Sequence, residues 1–148
     1  MKDLSEISLD EIVRIIRPCG SFSKKSMYVS EVAKSLILNH NGSVPNDRNY
    51  LESLPGVGRK TANVVLKNLF NEQAIPVDTH VERVSKRLGF AKEDDDALTI
   101  EKKLMKLIPH ESWNKVSEQI LLFGRYYCTS KKPKCEDCKL KQYCKMKK

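Results

Sequence analysis

"LPGVGRKTANVVL", residues 54–66, sets a Gly-x-Gly turn directly against an apolar run of helical spacing and places a lysine at the seam. Gly56 and Gly58 let bare backbone approach a ligand, and the first N–H groups of the helix that follows have no partner inside it. A helix end of that kind receives phosphate oxygens well. Taken alone, the turn is better explained by the geometry of two helices meeting. The lysine asks for more. An ammonium beside a helix N-terminus meets the positive end of the dipole, and partial burial adds to the cost, so both effects favour a neutral, nucleophilic amine at Lys60.

Helical signals continue on both sides of the turn. "SLDEIVRIIRP" opens with Ser8 and Glu11 spaced as a capping box and stops at Pro18. From Ser23, the residues Val29, Val32, Ala33, Leu36 and Ile37 recur at helical spacing until Gly42. "YLESL" gives a short helical turn before the glycines, and Ala62, Val65, Leu66 and Leu69 mark one face of the helix after them. Val77, Val81, Val84 and Leu88 then pattern a helix that Asp78 opens and Gly89 closes. Leu98, Leu104, Leu107 and Ile108 predict another, ending at Pro109, and a last one runs from about Ser112 with Trp113, Val116, Ile120, Phe123 and Tyr127 inward. No segment alternates with period two and no repeat is present, so the expected class is all-α. The acidic "KEDDDA" stretch is expected to divide residues 1–96 from residues 97–148.

The 148 residues carry a net charge of +8, and all of the excess lies beyond residue 100. A polyanionic partner suits that balance. No apolar run approaches membrane-spanning length and no signal peptide opens the chain, so a cytoplasmic, nucleoid-associated protein is expected. Four of the five cysteines, Cys128, Cys135, Cys138 and Cys144, crowd into "CTSKKPKCEDCKLKQYC". In a reducing compartment such a set is free to hold metal, and both zinc and a [4Fe-4S] cluster accept four thiolates. Lys131, Lys132 and Lys134 lie between the first two of them, where a loop tied at both ends turns a lysine run into a cationic prong for a phosphate backbone. Cys19 has no partner in this pattern, which leaves a small buried residue or a free thiol.

"LPGVGRKTA" and "IPVDTHVERVSKRLGF" together resemble the helix-hairpin-helix and aspartate segments of the endonuclease III-like DNA glycosylases, with 18 positions between Lys60 and Asp78 as in that family. The cysteine spacing resembles the same family's C-terminal iron-sulfur loop, which favours [4Fe-4S] over zinc. The resemblance implies a helix-hairpin-helix glycosylase fold, with part of a six-helix barrel joined to a cluster lobe. It implies damaged double-stranded DNA as partner and no membrane. Leu54, Gly56, Val57, Gly58 and Arg59, with the three loop lysines, would contact DNA. Lys60 would attack the sugar, displace an oxidised pyrimidine and form a Schiff base that β-elimination resolves into a nick, with Asp78 stabilising developing positive charge. Lysine rather than serine at position 60 points to a combined glycosylase and lyase.

Residue by residue, plainer readings exist. Lys60 makes a phosphate contact, Asp78 caps a helix, and His80, His40 and His110 pack or end helices. Family members usually carry further helices and a "SAQxTD"-like segment before the point where this sequence begins, and no such string is present. The segments starting at Ser8, Ser23 and Thr79 are therefore expected to show apolar faces without neighbours, and the chain to be a monomer unless another chain supplies them. A non-catalytic DNA-binding module is the rival to the enzyme.

Overall fold

The structure, a computed structural model, describes residues 2–146, and among these every regular element is a helix. The chain forms two compact units, residues 1–62 and 63–148.

The first unit contains α1 (Lys2–Glu6), α2 (Leu9–Ile16), α3 (Phe22–His40), α4 (Arg48–Ser53) and the start of α5 (Arg59–Phe70). Ser8 caps α2 as its spacing suggests, its hydroxyl accepting from the Glu11 N–H at 3.2 Å. Helices α1 and α2 lie against α3. Ile12, Ala33, Leu36, Leu51, Leu54 and Ala62 form the buried apolar set. At the end of α3, Asn41 and Gly42 take left-handed conformations, and the Gly42 N–H returns to the Leu36 carbonyl at 3.0 Å. Asp47 caps α4 by accepting from the Tyr50 N–H at 3.1 Å. The Tyr50 hydroxyl then meets Ser35 Oγ at 3.1 Å, which ties α4 to α3. His40 sits at a helix end with its ring edge on Tyr50. Cys19 is an exposed free thiol, so the buried alternative fails.

The second unit continues α5 and adds α6 (Thr79–Arg87), α7 (Ala97–Leu107) and α8 (Trp113–Tyr126). Ile75, Val77, Val81, Val84, Ile100, Leu104 and Ile120 close one core, with Trp113, Val116 and Phe123 packed on its edge. The extended run Ala74–Val77 is buried although it belongs to no sheet. Asn114 holds it in place. The Asn114 side chain accepts from the Ala74 N–H at 3.0 Å and donates to the Glu72 carbonyl at 3.0 Å. Asn63 and Glu101, both fully buried, hydrogen-bond at 3.2 Å and link α5 to α7.

Three expectations about helix faces need correction. Leu69 is 60% exposed, and Asn63 takes the inward place instead because Glu101 satisfies its amide. Leu98 and Leu107 point outward while Ile100 and Leu104 face the core, so α7 buries a stripe rotated from the one expected. The segment from Thr79 has no unpartnered apolar face: Val81 and Val84 are wholly buried, and α6 packs against α8 and α7. For the segments starting at Ser8 and Ser23 the expectation holds, with Ile15 60% and Leu38 83% exposed.

The acidic stretch is more than a connector. Asp96 caps α7, accepting from the Thr99 N–H at 2.8 Å. Asp95 accepts from the Lys92 N–H at 2.7 Å and from the Lys103 ammonium. The Lys103 hydrogen bond, and then the Lys92 N–H, hold the Asp95 carboxyl below the ordinary carboxylate range, and Thr99 does the same for Asp96. A lowered carboxyl stabilises the fold above its unfolded pKa, and that contribution disappears as pH falls through the folded value. Thermal unfolding should therefore show a midpoint that drops below about pH 4. Asp95→Asn should flatten that acid limb, as calorimetry across pH would record.

Candidate functional site

The hairpin turn is built from the first unit's own constraints. Leu54 ends α4 with its side chain buried, and the Val57 N–H closes the turn on the Leu54 carbonyl at 3.1 Å. Gly56 has φ +74, and an added Cβ would fall 2.3 Å from Tyr28 Cδ2, so conformation and space both require glycine there. Gly58 differs. Its φ is not positive, and an added Cβ would meet nothing within 4 Å. Nothing inside the chain demands a glycine at this position, and the space above it is open to a ligand. The Gly58 carbonyl accepts from the Ala62 N–H at 3.0 Å and starts α5.

Val57 is half-buried, and Arg59 lies 3.9 Å from the Glu52 carboxylate. Lys60 stands exposed at the second position of α5. The partial burial expected of Lys60 is therefore not provided by this chain's own residues. Of the expected DNA contacts in the turn, Leu54 commits its side chain to the core, whereas Gly56 and Gly58 are exposed.

In the second unit, Asp78 is the N-cap of α6. Its Oδ1 accepts from both the His80 and Val81 N–H groups at 2.9 Å. Its Oδ2 takes no hydrogen bond among the described residues. Capping and chemistry are therefore not alternatives, because one oxygen fixes the carboxylate and leaves the other available. The His80 ring lies beside Arg83, Nδ1 to Nη2 at 3.2 Å, which leaves it a packing role. His110 likewise ends a segment, edge-on to Trp113.

The four late cysteines line one cavity of about 40 Å³, walled by Leu88, Phe123, Pro133 and Met146. Among the described residues, no three His, Cys, Asp or Glu side chains gather as a single metal ion requires. Four thiolates lining one apolar cavity are a ligand set that both zinc and a [4Fe-4S] cluster accept. Lys131, Lys132 and Lys134 are exposed on the loop, and Lys134 lies 5.8 Å from the centre of the Tyr127 ring. Burial, then Cys138 and Asp137, push the Tyr127 phenol up, so it remains a neutral hydroxyl on the cavity wall.

Residues 1–110 match the family model of the HhH-GPD superfamily base excision DNA repair protein. The chain belongs to that superfamily. Residues 128–144 match the iron-sulfur binding domain of endonuclease III. Endonuclease III of Bacillus subtilis (strain 168) is 42% identical over 144 residues, covering 97% of this chain and 66% of the relative. For endonuclease III of Escherichia coli (strain K12) the values are 39% over 142 residues, 96% and 67%. A trapped endonuclease III-DNA covalent intermediate superposes with a TM-score of 0.94 at 47% identity, over 97% of this chain and 67% of that one. A thermostable thymine-DNA glycosylase superposes at 0.84 and 25% identity, over 97% of this chain and 68% of that one. The chain spans about two thirds of the length of these relatives. The cofactor of this HhH-GPD chain is a [4Fe-4S] cluster.

Sequence reading missed Arg83 and Arg87, which carry most of the polar contacts between α6 and the cysteine loop. Their signal was present as two arginines four apart at the C-terminal end of a short helix, one turn from a run of carbonyls.

The two glycines give a paired expectation. Gly58→Ala should leave the unfolding midpoint nearly unchanged but weaken binding to an abasic duplex, measured by fluorescence anisotropy. Gly56→Ala should lower the unfolding midpoint as well, because Tyr28 must move.

Proposed function

We propose that the chain is a base excision repair DNA glycosylase with lyase activity toward abasic sites, acting on oxidised pyrimidines in duplex DNA. The observation that carries this reading is the combination of an exposed amine in the first turn of α5, behind the open Gly58, with a carboxylate whose free oxygen is held by its own helix cap. Membership of the superfamily supports it, as does the likeness to an endonuclease III-DNA covalent intermediate.

In this reading the exposed backbone of Gly56 to Arg59 and the first amides of α5 receive the phosphodiester chain, while Lys131, Lys132 and Lys134 meet it with charge. Lys60 Nζ attacks C1′ of the damaged nucleotide and the C1′–N bond to the base breaks. Asp78 stabilises the positive charge that grows on the sugar and passes one amine proton to the departing base; the C1′–O4′ bond then opens, O4′ taking the second amine proton, as the nitrogen becomes a Schiff base. Loss of the C2′ proton then expels the 3′ phosphate. Taking a proton from an ordinary lysine at pH 7 costs about 4.6 kcal/mol, which is 3.4 units at 1.36 kcal/mol each.

Cys128, Cys135, Cys138 and Cys144 hold the [4Fe-4S] cluster, whose role is to fix the basic loop. Residues 1–96 act as the partial barrel lobe with hairpin and aspartate, and residues 97–148 as the cluster lobe. The protein works in the cytoplasm on nucleoid DNA, as a monomer unless another chain covers the apolar faces of α2 and α3. Among the described residues no helix is long and apolar enough to cross a membrane.

Borohydride reduction with abasic duplex tests the reading. Wild-type protein should yield a covalent adduct, Lys60→Ala none, and Asp78→Asn little, although asparagine keeps the cap and should hold stability to within about 0.5 kcal/mol. Duplex binding without any adduct would support a DNA-binding module instead.

A further inference from the structure

Helix α6 ends in the only guanidinium among the described residues with a hydrogen bond to a cysteine sulfur. Arg87 Nη1 lies 3.2 Å from Cys128 Sγ. The same nitrogen donates to the Thr129 carbonyl at 2.9 Å, and Nη2 donates to the Ser130 carbonyl at 3.2 Å. The backbone of Arg87 holds the far end of the loop, its carbonyl accepting from the Lys145 N–H at 2.7 Å. One residue thus grips the chain just after the first of the four cysteines and just after the last. Arg87 also lines the cysteine cavity. Arg83, one turn earlier, does not: it bonds the carbonyls of Gly124 and Cys128 and closes the C-terminus of α8.

Arg87 makes no ion pair with a carboxylate among the described residues. Its charge is therefore uncompensated by protein and faces sulfur. A cation donating N–H to a ligating thiolate withdraws charge from that ligand and stabilises the more reduced state of the cluster. It also fixes the ligand's direction, as outer partners of metal ligands do.

We propose that Arg87 is a positioning residue for the cluster: it latches both ends of the cysteine loop, orients the Cys128 thiolate, and raises the cluster's reduction potential. The inference rests on the reading that these four cysteines ligate the cluster. An arginine serves here because its planar fork reaches a sulfur and three carbonyls at once, which an ammonium on a flexible stem does not. With the latch gone, the cluster gives up an electron more readily and Cys128 detaches more easily.

The protein, purified with its cluster, tests this through iron and sulfide content, visible absorption and electrochemical midpoint potential. The rates of bleaching by ferricyanide and by an iron chelator complete the set. Arg87→Met should shift the midpoint to more negative potential and bleach roughly tenfold faster in chelator. Arg87→Lys, which keeps charge without the fork, should hold the potential closer to wild type while still bleaching faster. Arg83→Met, which loses carbonyl contacts and the His80 ring contact but none to a cysteine sulfur, should lower thermal stability and leave the potential unchanged. If Arg87→Met fails to load while Arg83→Met loads, the latch is supported, and Arg87→Lys then supplies the bleaching rate. Potentials and rates equal to wild type in both Arg87 variants overturn the inference. Wild-type protein without iron and sulfide would instead overturn the ligand reading, and the two failures are thus distinct.

Discussion

The open amides at the start of α5 are the constraint on which the functional account depends. Two glycines reach that point by different routes. Gly56 is compelled by a left-handed conformation and by the ring of Tyr28, whereas Gly58 answers to no demand of the fold. A chain that keeps a glycine where any small residue would fold is keeping room for something outside itself. The unpartnered N–H groups of a helix start attract an anion. The same dipole makes an ammonium uncomfortable. In the proposed reading, Lys60 one residue into that helix sets the reacting amine beside the backbone that receives DNA.

The second unit works by a similar economy around α6. At its start, Asp78 spends one carboxylate oxygen on the His80 and Val81 amides and keeps the other. Along its length, Val81 and Val84 fill the core. At its end, Arg83 and Arg87 bind the carbonyls at the close of α8 and the first turn of the cysteine loop. A nine-residue helix thus anchors the candidate carboxylate and the cluster loop within one packed unit. In the proposed reading the cluster's contribution is mechanical and electrostatic, fixing a loop whose Lys131 and Lys132 are exposed.

Much of this was legible in the sequence, and the reasons are local. The caps at Ser8 and Asp78, the stops at Gly42 and Gly89, and the helical class follow from side chains that act within one turn of chain. The helix faces were less legible because they depend on partners distant in sequence. Asn63 turns inward only because Glu101, 38 residues later, accepts its amide. Leu69 and Leu107 were misplaced because an apolar stripe on a short helix fits more than one rotation. Arg83 and Arg87 escaped notice because a basic helix end ordinarily reads as solvated charge, and their partners lie more than 40 residues away. At Lys60 the residue was readable but its burial was not, since an amine one position into a helix can face either way.

Peptide mapping of the borohydride-reduced protein-DNA adduct by mass spectrometry tests the central claim most directly, because it identifies the nitrogen that formed the bond. The account predicts a single modified peptide carrying the sugar remnant on Lys60. A remnant on the N-terminal amine, or spread over Lys67 and the loop lysines, would show that the start of α5 does not deliver the nucleophile.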